Sequence, residues 1–142
     1  MDGTTAPNQK TPLVVADALV KAKSMTGNEN FGNMCLALVA DFYGYTSSGE
    51  NSAQEAAAQV SSAGQMHTDM SNIPLGALIW YSGDAVGNPY GHVAMYAGDG
   101  KVYSNGAGPG GQVGLISIDT PVKSWGEPFI GWSGVWLPNA TK

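Results

Sequence analysis

A single cysteine, Cys35, stands in the 142 residues, so no disulfide can form within the chain. An extracellular site of action stays open, because a domain of this length buries enough core to hold without a staple. Basic residues are scarce: Lys and Arg together number six against eleven Asp and Glu, for a net charge of −5. Six cations do not make a basic stripe, which argues against a nucleic-acid partner and against an anionic membrane surface. No apolar run approaches the roughly 20 residues of a membrane span. Cys-x-x-Cys, His-x-x-x-His and calcium-loop spacings are missing, so neither a metal nor another cofactor is expected. The Gly-rich stretch 106–111 lacks the Lys-Ser/Thr ending of a phosphate loop and gets no nucleotide role. Met1 to Lys10 is polar, without the charged-then-apolar order of a secretory signal.

What is present reads as a folded globule, with 43% hydrophobic and 12% charged residues where a disordered chain would show the reverse balance. Residues 1–11 read as a flexible lead and 12–142 as one domain. Thr11-Pro12 suggests a helix cap followed by proline in the first turn, and Val15, Ala18, Leu19, Ala22 and Met25 then recur at helical spacing. A second helix is expected over roughly 34–45, capped by Asn33 and apolar on most sides, which places it in the core. Ser52 and Glu55 make a capping-box pattern for a third helix running to about residue 61. After Pro74 the pattern turns to strands: 77–81, 92–97, 101–105, 114–118 and 133–137, punctuated by Gly and Pro. Helices first and strands after imply an α+β fold with an antiparallel sheet.

Cys35 falls in the first turn of the second helix. Unpaired backbone N–H groups and the positive end of the helix dipole favour thiolate there, and the thiolate is the nucleophile. His92 opens a strand after the irregular segment 83–91. The other histidine, His67, sits in a polar, turn-like stretch and reads as solvated. Asp99-Gly100 is a short-hairpin signal. With a two-residue turn, Gly98 pairs with Lys101 and Ala94 faces Asn105, which makes Asn105 a diagonal neighbour of His92 able to accept from one ring nitrogen. A register shifted by one residue would bring Ser104 to that face instead. Asp84 is a third candidate if its loop folds back.

The stretch GHVAMYAGDGKVYSN, residues 91–105, resembles the histidine hairpin of the CHAP family, the cysteine, histidine-dependent amidohydrolases and peptidases. GNMCLALVADFYG, residues 32–44, is similar to that family's cysteine helix. PLGALIWYSGD, residues 74–84, resembles the strand preceding its histidine, and WGEPFIGWSGVWLP, residues 125–138, is similar to tails of such domains in actinobacteria and their phages. The related NlpC-like hydrolases carry Asp-Cys-Ser-Gly at the nucleophile. Met34-Cys35-Leu36 sides with the CHAP branch.

The resemblance covers roughly residues 12–138 and implies a papain-like fold. Its catalytic set would be Cys35, His92 and a third residue placed on Asn105, and its reaction amide hydrolysis through a thioester. The Cys35 N–H would be a first oxyanion donor. Glu29 stands six residues before Cys35, where papain-like proteases place a glutamine. The implied substrate is peptidoglycan peptide, cut at the muramoyl-alanine bond or within the stem or cross-bridge. Tyr90 and Trp80 are the aromatics expected to line its cleft. Action on the bacterial cell wall follows, after phage-driven lysis or specialised export, with an additional wall-binding domain or an immunity protein as further partners. Two other readings remain: a non-catalytic module that binds cell wall or protein, and a papain-like protease or toxin acting on a protein.

Overall fold

The computed structural model describes residues 10–142, so the expected lead over 1–11 lies, up to residue 9, outside the described residues. The fold is α+β. The first half supplies α1 (Val15–Ser24), α2 (Cys35–Phe42) and α3 (Ala53–Ser62). The second supplies β1 (Leu78–Tyr81), β2 (His92–Gly98), β3 (Lys101–Ser104), β4 (Gly114–Ser117), the short helix α4 (Thr120–Lys123) and β5 (Phe129–Ser133). The strands form one antiparallel sheet in the order β4-β3-β2-β1-β5. Among the described residues no helix is long and apolar enough to cross a membrane.

Alternation along the strands divides the sheet into two buried faces. Leu78, Trp80, Val93, Met95 and Tyr103 share one core with α1, α2 and α3, while Ile79, Tyr81, Ala94, Val102 and Trp132 form a smaller core on the other face. Within the helical layer α2 is the central element. Leu36, Leu38, Val39, Ala40 and Phe42 are all buried, as its apolar composition requires.

Local details differ from expectation in four places. Thr11 is not the cap of α1, whose first residue follows Val14 with no side-chain cap bond. Asn33 does not cap α2 either. It takes a positive φ of 59°, and Met34 occupies the cap position. Ser52 does cap α3, accepting from the Glu55 N–H at 3.1 Å. The last strand lies four residues earlier than the 133–137 expected, at Phe129–Ser133. There Gly131 lets the backbone of His67 come within a distance that no Cβ would allow, and His67 and Trp132 exchange backbone hydrogen bonds.

The fourth difference decides the site. The β2–β3 turn is the two-residue Asp99-Gly100, both at positive φ, with Gly98 opposite Lys101 as expected. A bulge between Tyr96 and Gly98 then shifts the pairing to Tyr96↔Val102 and Met95↔Tyr103. One step further, Ser104 rather than Asn105 lies opposite Ala94, so Ser104 shares the face of His92.

Candidate active site

Cys35 is the first residue of α2 and His92 the first of β2, and the two helix and strand starts meet at one end of the sheet. Cys35 arrives from the helical face. His92 projects with Ala94 and Tyr81 on the other, its ring 5.6 Å from that of Tyr81. They come together because the strand ends there. The N–H of Val93, the residue after His92, faces the Cys35 sulfur, and both side chains line one cavity of about 520 Å3. A second cavity of about 750 Å3 adjoins it, and Asn33, Cys35, Asn88 and Tyr90 line both. The nucleophile candidate therefore stands where the two meet.

Ser104 holds the histidine. Its Oγ lies 2.8 Å from His92 Nε2 and donates its one proton to the Asn105 carbonyl at 2.7 Å. With that proton committed, the Ser104 oxygen can only accept from the ring. The tautomer that this bond pattern suits carries the proton on His92 Nε2 and the lone pair on Nδ1. Trp125 closes the ring's surroundings edge-on, at 5.1 Å between centroids.

Asn105 does not take the position expected of it. Its Nδ2 donates to the Phe31 carbonyl at 2.8 Å, and its Oδ1 is buried with no hydrogen-bond partner. The bulge is the physical reason, since it turns Asn105 to the other side of β3's path. Asn105 does remain in the wall of the His92 cavity. Asp84 begins a short 3-10 turn, is exposed, and belongs to neither cavity. Trp80 is a core residue: it is 0% exposed, and its indole N–H donates to Ser133 Oγ at 2.9 Å. A side chain so enclosed cannot line a cleft. Tyr90, by contrast, is 61% exposed on the rim of both cavities. Glu29 is exposed, and its carboxylate lies over Gly110, where any Cβ would collide with it. His67 is not free in solvent: its ring packs 4.8 Å from Trp132 and its Nε2 is buried without a partner.

The electrostatics correct the simple helix-end argument. Burial pushes the Cys35 thiol up to about 11 from its ordinary 9.0. The N–H groups of Val93, Leu36 and Cys35 pull it back down, and the Glu127 carboxylate adds to the rise. Donors at the helix start are therefore present, but desolvation outweighs them. Burial also pushes His92 down to about 4 from 6.5. Both shifts favour the uncharged forms, thiol and imidazole.

Two cavity residues had no legible role in the sequence. Trp125 and Glu127 lie in the connection between α4 and β5, about thirty residues after the histidine, and only the fold returns them to it. Asn88, which donates to Glu127 Oε2 at 2.9 Å, sits in the irregular segment before His92. Among the described residues no three His, Cys, Asp or Glu side chains gather as a metal site would need. No known protein-family model matches the chain, and no curated protein matches it either.

Proposed function

We propose that the protein is a papain-like cysteine hydrolase of the CHAP kind, cleaving an amide bond in bacterial peptidoglycan peptide. The observation that carries this reading is the relay from His92 Nε2–H to Ser104 Oγ to the Asn105 carbonyl, set in the same cavity as the chain's one cysteine. A relay of that form fixes one tautomer and leaves the other nitrogen as a base. Ser104 takes the orienting role, and Asn105 supports it through its backbone oxygen.

The pair's neutrality sets the order of events. With the thiol near 11 and the imidazolium near 4, the proton stays on sulfur until substrate arrives. His92 then removes it as sulfur attacks the carbonyl carbon, which is general-base rather than ion-pair catalysis. The Cys35 N–H, at the first residue of α2, would donate to the oxyanion. Collapse of the tetrahedral intermediate expels the amine, which takes its proton from His92, and leaves a thioester. Water deprotonated by His92 attacks the thioester and frees the acid and Cys35. The cavities on either side of Cys35 offer room for chain on both sides of the scissile bond, with exposed Met34, Val86 and Tyr90 along the rim of the larger one.

The raised thiol favours one second reading, in which the cleft binds wall peptide without cutting it. Wild-type protein on purified sacculi of several cross-bridge chemistries separates the two. New amine termini, with fragment masses naming the bond, support the hydrolase. Binding to sacculi with no released fragment from any of them leaves the binding module.

A further inference from the structure

All six basic residues are lysines, and the sequence contains no arginine. Lys21 pairs with Asp41 and Lys123 with Asp119, and no lysine lines either cavity. Yet Glu127, 5% exposed, stands in the wall of the His92 cavity. Its one side-chain partner among the described residues is neutral, the Asn88 amide. A buried carboxylate is stable when a cation accompanies it, and among the described residues none is paired with Glu127. Asn105 stands in the same wall, 6% exposed, with its Oδ1 buried and without a hydrogen bond. Trp125 and Tyr90 add aromatic faces, which attract cations. The Glu127 carboxylate is the feature of this pocket that a positively charged donor would satisfy.

We propose that the His92 side of the cleft is a subsite for a primary ammonium group on the substrate peptide, held by the Glu127 carboxylate. The ammonium would be an N-terminal amine or the side-chain amine of a diamino acid near the scissile bond. The proposal rests on the hydrolase reading for its place in a reaction, but the pocket is testable without turnover. It carries a catalytic consequence. Glu127 is one of the groups that keep the Cys35 proton in place, and an ammonium beside it cancels that influence. Substrate binding would then help to activate its own nucleophile.

Because Cys35 is the only thiol, its modification reports on the pocket directly. Methanethiosulfonates transfer their R–S group to a thiolate, forming a disulfide and releasing methanesulfinate. The probes are the 2-aminoethyl (cationic), methyl (neutral) and 2-sulfonatoethyl (anionic) reagents, each rate divided by that with a small free thiol. Wild type is expected to favour the cationic reagent over the neutral one by about tenfold and to disfavour the anionic one. Glu127→Gln should bring cationic and neutral within about twofold. A wild type with no preference for the cation overturns the proposal, and so does a preference that survives intact in a folded Glu127→Gln. If that variant does not fold, protection of wild-type Cys35 by a dipeptide with a free amine, and not by its N-acetyl form, supports the subsite. Equal protection by both overturns it. A clear cation preference with uncut sacculi would keep the subsite and defeat the hydrolase. Cut sacculi with no preference would do the opposite.

Discussion

Removing the Ser104 hydroxyl leaves the Nε2–H of His92 buried with nothing to accept it. Ser104→Ala is therefore expected to lower kcat on released wall peptide by about 10- to 100-fold with little change in KM, because ring orientation is lost and the binding surface is kept. It should also lower stability by about 1–3 kcal/mol in urea titrations. A kcat unchanged by the substitution would remove Ser104 from its orienting role. His92 further ties stability to pH. Between 6.5 and about 4 the unfolded chain takes up a proton that the buried ring refuses. Stability is thus fully present above 6.5 and falls as pH drops through 4, by about 3 kcal/mol in all. Unfolding free energies from urea titrations at pH 7 and pH 4 should differ by that much less in His92→Gln. The aromatics divide sharply: Trp80→Ala is expected to destabilise by about 3–5 kcal/mol, and Tyr90→Ala to raise KM with stability within about 0.5 kcal/mol of wild type. At this scale the sequence made Cys35 and His92 legible, one by its place at a helix start and one at a strand start. It left Trp125 and Glu127 silent, because neither has a local pattern and both depend on a distant return of the chain.

Elements were easier to see in the sequence than the joints between them. The capping of α3 by Ser52 could be read from the Ser-x-x-Glu spacing, and Ser52→Ala should cost about 1 kcal/mol, seen as a lowered urea midpoint. The Asp99-Gly100 turn was equally plain, since both residues tolerate positive φ. The bulge beside it was not, because Ala97 carries no mark of being the extra residue. That one residue decides whether Ser104 or Asn105 meets His92, which is why the third site residue could not be settled by alternation alone. The shift of β5 has a related cause. Val135 and Leu137 are buried like strand residues but lie beyond the ladder, whereas Gly131, a poor strand former, is inside it to admit the His67 backbone.

At the scale of the whole molecule, the passage from helices to strands marks the α+β class, and it also divides the site. Cys35 belongs to the helical half and His92 and Ser104 to the sheet, so the cavity exists only when the two halves are packed. Loss of activity and loss of far-ultraviolet circular dichroism should therefore follow one urea curve, as for a single cooperative unit. Activity lost well before the main transition would mean that the halves separate first. One comparison bears most directly on the chemistry: the rate of fragment release from sacculi by wild type, Cys35→Ala and His92→Ala, with folding verified by circular dichroism. Both variants are expected to fall by about a thousandfold or more, Cys35→Ala because no thioester can form and His92→Ala because the thiol near 11 keeps its proton. Release by Cys35→Ala at the wild-type rate would show that the sulfur is not the nucleophile.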